Sequence, residues 1–324
     1  MKVAPKLEKT LVQDLYRQMV LIRRFEEESG RLYMQGRIHG FLHLYIGEEA
    51  IAVGSIPILG PDDYVVSHYR DHGHALARGL DPKAAMAELL GKATGCSGGR
   101  GGSMHLFDLK RGFMGGYAIV GGQMPIAVGL ALGIKMRRER RVVLCFFGDG
   151  AANEGEFHES LNLASIWKLP VIFFLENNLY GMGSHVDKTH ATGRDLYLAA
   201  EPYQIPAVQV DGMDLLAVRE TVLHAIDRVR SDAGPVFIEA MAYRFRGHSM
   251  ADPSAYRDSA EVELWKKRDP IETFRVRMFT DGLLGPADVA RIEKEVEAAV
   301  AEAAKFAEES PEPTPESIHD HVYG

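Results

Sequence analysis

The chain has 324 residues and a formal net charge of −8, and 46% of its residues are hydrophobic, enough for a sizeable core. This acidic balance disfavours nucleic acid as a partner. The two cysteines, Cys96 and Cys145, form no disulfide framework or zinc motif, and Cys145 lies in an apolar run typical of a core strand. The first ten residues do not resemble a signal or transit peptide, and glycines interrupt the longest weakly polar run. We therefore expect a cytoplasmic protein without a membrane span.

The order of helical and strand-like patterns predicts an α/β fold with a doubly wound, mostly parallel sheet. An N-terminal helix is predicted within 1–35 and a helical segment with a tail at 260–324, and the whole chain, 1–324, is predicted as one domain. Between these segments the pattern predicts, in order, a helix at 47–59, a strand at 63–67, a strand at 141–147, a helix at 151–168, a strand at 171–175, a strand at 206–210, a helix at 214–230 and a strand at 235–243.

The centre of the chain reads as one β-α-β unit from Arg141 to Gly183. The turn Gly148-Gly150 leaves the first strand, and Asn178 follows the second. Because parallel neighbours in a right-handed unit end on the same edge of the sheet, we expect Asp149 and Asn178 to lie close together, with Asp149 exposed at its strand exit.

Two oxygen ligands that face each other at this edge suit Mg²⁺, which leaves coordination places for water and phosphate oxygens. The backbone N–H groups of Gly150 and Ala151 are expected to open the following helix and to meet an anion there. The corner therefore predicts a site for a metal diphosphate.

Other polar segments offer further candidates. The run from His68 to His74 contains three histidines, but no separate cysteine or carboxylate set accompanies them, so a metal centre is disfavoured there. Arg70 is a better candidate, since its guanidinium suits diphosphate oxygens. The glycine-rich segment Gly95–Gly102 is expected to be a flexible loop, and it matches neither the P-loop pattern nor GxGxxG.

The motif GDG followed by about two dozen residues and NN resembles the thiamine diphosphate motif. The chain is similar to the E1 α subunits of 2-oxo acid dehydrogenase complexes, those of pyruvate dehydrogenase most of all, over roughly residues 15–310. The segments that carry this resemblance are HGFLHLYIGEEA, SHYRDHGHALARG, GGRGGSMHLF, GGYAIVGGQMPIAVGLALG, GDGAANEGEFHESLNLASIWKLPVIFFLENNLYGMG, VDGMD and YRFRGHSMADP.

The resemblance implies a thiamine diphosphate-binding fold and a role for particular residues. It implies metal ligation by Asp149, Asn178 and the backbone carbonyl of Tyr180, and catalytic roles for His43 and His248. The cofactor-binding positions that it implies are Tyr69, Arg70, Ala118, Val120, Asp149, Gly150, Ala151, Asn178, Tyr180 and His248. The family has glycine at the position of Ala118, and Ser249 occupies the position of a regulatory serine in mitochondrial relatives.

The resemblance also implies an α₂β₂ assembly that works with a lipoyl-bearing E2 acyltransferase. The predicted reaction is that of pyruvate dehydrogenase (acetyl-transferring): decarboxylation of pyruvate with reductive acetylation of the lipoyl group. We find no assignable carboxylate for the aminopyrimidine ring of thiamine diphosphate. In the family that glutamate belongs to the β subunit, so we expect this chain to be half of an enzyme.

Several alternatives stay open. The acetoin dehydrogenase α subunit would share every anchor residue, and a branched-chain 2-oxo acid dehydrogenase E1 α subunit comes next. A nicotinamide-binding Rossmann protein is a rival of another class, but it requires a glycine where this chain has Asn153. A non-catalytic interaction protein is disfavoured, because the predicted strand exits carry polar or glycine-rich residues.

Overall fold

The computed structural model describes residues 7–320 and Val322. Its centre is a six-stranded parallel sheet in the order β2-β1-β3-β4-β8-β7. The strands of this sheet are β1 (Tyr64–His68), β2 (Phe113–Tyr117), β3 (Val143–Gly148), β4 (Val171–Asn177), β7 (Ala207–Asp211) and β8 (Val236–Met241), and a small antiparallel hairpin is formed by β5 (Tyr180–Gly181) and β6 (Ser184–His185). The predicted doubly wound α/β fold is confirmed.

Eleven α-helices occur in the described part of the chain. They are α1 (Lys9–Met34), α2 (Glu49–Ser55), α3 (His72–Ala77), α4 (Pro82–Leu89), α5 (Gln123–Met136), α6 (Gly155–Ile166), α7 (Val186–Thr189), α8 (Leu215–Arg230), α9 (Ser259–Lys266), α10 (Pro270–Thr280) and α11 (Pro286–Glu309). None of these helices combines the length and the apolar character that crossing a membrane requires.

The strand order explains why helices cover both faces of the sheet. The chain passes from β3 to β4 in one direction across the sheet and from β7 to β8 in the opposite direction. Because both crossovers are right-handed, their helices fall on opposite faces. Helix α6 accordingly contacts α5, whereas α8 contacts α2.

The central strands are apolar because both of their faces are covered. Every residue of β4 is buried, as are all of β3 except Gly148, and Cys145 is fully buried as predicted. Strand β7 lies at the edge of the sheet and is half exposed. The long terminal helices α1 and α11 pack against each other, and α11 also packs against α4.

The sequence patterns did not predict strand β2 or the first residue of helix α6 correctly. Strand β2 was not predicted, because its sequence FMGGY has two glycines and no alternation of apolar and polar residues. The helix predicted at 151–168 begins only at Gly155, since Glu154 adopts an extended conformation with ψ of 151°. At the other end of this helix, Ile166 and Trp167 are exposed.

The glycine-rich segment Gly95–Gly102 folds around a single side chain rather than around a nucleotide. The buried Glu88 accepts four backbone N–H groups, those of Ser97, Gly99, Gly101 and Gly102, at 2.7–3.1 Å. Gly99 has φ of +75° and lies against the backbone of Gly91, so a side chain there would clash. The loop that was expected to be flexible is therefore held at four points.

We predict that Glu88→Gln lowers the free energy of unfolding by about 2–3 kcal/mol, because the amide nitrogen would face backbone donors that then lose their acceptor. Urea unfolding monitored by circular dichroism measures the change. The control is Glu302→Gln, which removes an exposed partner of Lys83 and should leave the unfolding midpoint unchanged. Equal midpoints for Glu88→Gln and the unsubstituted chain would contradict the role given to this carboxylate.

Candidate cofactor site at the carboxyl edge of the sheet

A cavity of about 340 Å³ opens where the parallel strands end. Segments that follow β1, β2, β3, β4 and β8 all contribute to its wall, as expected for an open α/β sheet. The lining residues include His68, Tyr69, Arg70, Val120, Asp149, Gly150, Ala151, Glu176, Asn178, Tyr180, Arg244 and His248. Nine of the predicted site residues are thus brought to one cavity: Tyr69, Arg70, Val120, Asp149, Gly150, Ala151, Asn178, Tyr180 and His248.

The register of β3 and β4 places the two predicted metal ligands together. Gly148 pairs with Glu176, so Asp149 leaves β3 at the level where β4 reaches its asparagines. Asp149 is only 3% exposed, so the expectation that it is exposed was wrong. Burial raises the pKa of Asp149 to about 6, and its Oδ2 atom has no hydrogen-bond partner among the described residues. A buried carboxylate oxygen without a donor is a suitable ligand for a cation.

The predicted anion site at Gly150 and Ala151 has a different backbone from the one expected. Residues Asp149–Asn153 form a 3₁₀ turn, and α6 starts only after it. The two N–H groups therefore belong to this turn rather than to the first turn of an α-helix. Both residues nevertheless line the cavity beside Asp149.

Arg70 is a buried cation whose hydrogen bonds go to neutral groups. Its guanidinium donates to the carbonyl oxygens of Leu44 at 2.8 Å and His248 at 2.7 Å. The nearest carboxylate oxygen, on Glu48, lies 3.9 Å from its Nε atom, beyond hydrogen-bond distance. Burial and the nearby Arg244 lower the pKa of Arg70. The charge of this side chain is thus incompletely compensated by the protein.

Arg244 is a second buried cation in the same wall, and it is not among the cofactor-binding positions predicted from the sequence. It is 1% exposed and donates to Asn178 Oδ1 at 3.4 Å and to the carbonyl oxygen of Tyr180 at 3.3 Å. Within the described residues no carboxylate oxygen lies within 4 Å of its guanidinium nitrogens. Two buried guanidinium groups beside one cavity favour a bound anion. Arg246, the other arginine of this segment, is exposed and does not line the cavity.

Three aromatic rings cluster at one side of the cavity, and two of them, Tyr69 and His248, form its wall. The ring centroids of His43 and Tyr69 are 4.6 Å apart, and those of His43 and His248 are 5.1 Å apart. Burial and Arg70 lower the pKa of His43 to about 2 and that of His248 to about 3, so both imidazoles are neutral. Each has a buried Nδ1 atom without a partner in the described structure. His43 itself lies behind this wall rather than among the lining residues.

The histidines after β1 have a carboxylate partner that the sequence did not reveal. Glu176 accepts hydrogen bonds at 2.5 Å from His68 and at 3.0 Å from His74, and Tyr45 donates to it as well. Although burial opposes ionisation, His74 and His68 lower the pKa of Glu176. The two imidazole nitrogens and this carboxylate lie within 4.8 Å of one another, as metal ligands do.

The hydrogen bonds of His68 nevertheless disfavour a metal centre. Its Nδ1 atom accepts the backbone N–H of Arg70 at 3.0 Å, so the single proton of the neutral ring sits on Nε2. A histidine nitrogen that ligates a metal must carry no proton. His68, His74 and Tyr45 therefore act as donors that hold one buried carboxylate. This partner could not be found in the sequence, because Glu176 is remote from the histidines and belongs to a strand that reads as core.

The segment after β2 is the most exposed part of the site. Val120 lines the cavity and is 42% exposed, whereas Ile119 is 74% exposed and Ala118 does not line the cavity. Two further apolar residues, Ile126 and Met136 of α5, are also exposed but do not line the cavity. The cavity is therefore walled by histidine rings on one side and bordered by exposed apolar groups on another.

Comparison with known proteins shows the family of the chain. A family model described as "Dehydrogenase E1 component" matches residues 17–316. The chain is 45% identical to the pyruvate dehydrogenase E1 component subunit alpha of Rhizobium meliloti, over 95% of this chain and 88% of that protein. It is 42% identical to the protein of the same name in Rickettsia felis, over 100% of both chains. A chloroplastic relative, subunit alpha-3 of Arabidopsis thaliana, is 43% identical over 96% of this chain and 74% of its own length.

We predict that inorganic diphosphate, added together with Mg²⁺, raises the melting temperature of the protein and that Arg70→Met reduces the shift by half or more. The reason is that a charge-assisted hydrogen bond contributes about 1.5–3 kcal/mol. Differential scanning calorimetry over a diphosphate titration measures both shifts. Arg230→Met is the control, because this arginine pairs with Asp63 at the amino end of β1, away from the cavity. Equal shifts in the Arg70 variant and the unsubstituted protein would exclude Arg70 as an anion ligand.

Proposed function

The chain belongs to the dehydrogenase E1 component family, and we propose that it is the α subunit of a pyruvate dehydrogenase E1. The names of these three relatives support pyruvate as the substrate, since all three name pyruvate dehydrogenase and none names acetoin or a branched-chain acid. The observation that carries the proposal is the cavity itself. It combines a buried carboxylate that lacks a donor with two buried guanidinium groups that lack a hydrogen-bonded carboxylate.

This combination fits magnesium thiamine diphosphate. Asp149 Oδ2, Asn178 Oδ1 and the carbonyl oxygen of Tyr180 would hold Mg²⁺, since all three are hard oxygen donors. Tyr69, Arg70, Arg244 and His248, with the N–H groups of Gly150 and Ala151, would hold the diphosphate. Of the two positions after β2, Val120 lies where it can contact the cofactor, and Ala118 is the less direct candidate.

When bound, thiamine diphosphate supplies a carbon nucleophile for the 2-oxo acid and stabilises the charge left by CO₂. The protein's own part is binding, orientation and proton placement. His43 and His248 are neutral, and each has an unpartnered Nδ1 atom that can accept a proton. A bound diphosphate would offset the neighbouring positive charge and raise both pKa values toward the range of general acid–base groups.

The exposed side of the cavity supports the proposal that a β subunit completes the site. Val120 and its neighbour Ile119 form an exposed apolar border at the cofactor cavity, which Val120 lines. A partner that covers this border would exclude water from the reacting atoms and would bring the activating glutamate that we did not find here. We propose an α₂β₂ E1 that passes the acetyl group to the lipoyl group of E2.

We predict that the purified chain alone does not decarboxylate pyruvate and that activity appears when the cognate β subunit is added. Reduction of a dye acceptor measures the reaction, with pyruvate, acetoin and 3-methyl-2-oxobutanoate compared in the same assay. Pyruvate should give the highest kcat/KM. Preference for acetoin would replace the proposed substrate, and activity of the chain alone would contradict the half-enzyme arrangement.

We predict that Asp149→Ala abolishes the magnesium-dependent binding of thiamine diphosphate by the α–β complex, because the cation would lose its only charged protein ligand. Isothermal titration calorimetry measures the affinity, and circular dichroism checks the fold. Asp211→Ala is the control, since Asp211 also ends a parallel strand but lies outside the cavity. Unchanged affinity in Asp149→Ala would refute the metal assignment.

A further inference from the structure

Behind the cavity wall, Glu48 contacts one of the proposed metal ligands. Glu48 is 1% exposed, and its Oε1 atom accepts a hydrogen bond from Asn178 Nδ2 at 3.1 Å. Its other oxygen, Oε2, accepts no hydrogen bond from any described residue and lies 3.9 Å from Arg70 Nε. The backbone of Glu48 is fixed at the start of α2, because its N–H donates to the carbonyl oxygen of Tyr45.

The two ends of an asparagine amide are similar in shape but opposite in chemistry. The Nδ2 end donates two hydrogen bonds, and the Oδ1 end accepts them. The Oε1 atom of Glu48 accepts the hydrogen bond from Nδ2, so Glu48 selects the orientation in which Nδ2 points at it and Oδ1 points away. On that other side, Asn178 Oδ1 meets the backbone N–H of Tyr180 and the guanidinium of Arg244, each at 3.4 Å.

We propose that Glu48 is a positioning residue that fixes the amide of Asn178 with its oxygen toward the metal site. The inference rests on the proposed function, since it concerns the same magnesium ion. The bonds on the Oδ1 side are long and therefore weak, whereas the bond to Glu48 is the shortest that this amide makes. Without Glu48 the amide can turn over and present an NH₂ group to a cation.

Asn177, the last residue of β4, and Glu239 of β8 form a neighbouring pair that offers a matched control. Asn177 donates through Nδ2 to Glu239 Oε1 at 2.7 Å, and both residues are fully buried. Asn177 does not line the cavity, and its Oδ1 atom accepts the N–H of Leu179. Loss of the Glu239 carboxylate thus removes the same kind of buried bond without touching a proposed metal ligand.

The test is a Mg²⁺ titration of the α–β complex at saturating thiamine diphosphate, followed by calorimetry. Glu48→Met should weaken Mg²⁺ binding about 10–100-fold, the usual effect of losing a group that orients a metal ligand. Glu48→Gln should stay close to the unsubstituted complex, because its amide oxygen still accepts from Asn178. Glu48→Ala carries the same expectation as Glu48→Met if the longer side chain prevents folding. Glu239→Met should leave Mg²⁺ affinity unchanged, whatever it does to the melting temperature.

A second substitution separates orientation from stability. In the double variant Glu48→Met/Asn178→Asp, either end of residue 178 is an oxygen, so turning over no longer matters and Mg²⁺ affinity should recover. No recovery, or a loss with Glu48→Gln as large as with Glu48→Met, would overturn the positioning role. Asp149→Ala tells the two failures apart. If it loses Mg²⁺ while Glu48→Met does not, only the role of Glu48 is wrong, and if neither loses Mg²⁺, the metal site itself is wrong.

Discussion

The site depends on buried charge that the chain does not neutralise by itself. Arg70 and Arg244 are both buried beside one cavity, and their hydrogen bonds go to carbonyl, amide and hydroxyl oxygens. Burying a cation costs free energy unless it is paired, and two like charges in the same wall add to that cost. A fold retains such an arrangement when a ligand supplies the missing charge. The proposed diphosphate supplies that charge, so the free energy lost by burying the cations in the free protein is recovered when the anion binds.

The same reasoning explains why a cation should accompany the anion. Asp149 and Glu176 also face this cavity, so a diphosphate alone would meet negative as well as positive groups. The oxygens of Glu176 are hydrogen-bonded within the protein, because His68, His74 and Tyr45 all donate to them. Asp149 has an oxygen that lacks a donor and thus repels an anion until a metal lies between them. Metal and diphosphate are therefore expected to bind as one unit.

The sequence predicted those parts of the site that follow from local pattern and strand topology. The apolar runs of β3 and β4 were recognisable, and parallel strands must end on one edge, so Asp149 and Asn178 were placed correctly at the same edge. Strand β2 was missed because two glycines hide its pattern, and the 3₁₀ turn at Asp149–Asn153 was taken for the start of a helix. The Oδ2 atom of Asp149 lies against Gly181 of the β5–β6 hairpin, and a strand exit does not reveal this contact.

The contacts that orient the site residues could not be predicted from the sequence. Glu48 reads as one of two glutamates at the start of a helix, and Glu176 as the end of a core strand. Their roles arise only when the sheet brings residues more than a hundred positions apart into contact, as with Glu48 and Asn178. Long-range pairs of this kind leave no periodicity, since each member is compatible with its own element. A pattern locates the edge where a ligand binds, whereas the orientation of each ligand atom is set by buried partners that only the fold identifies.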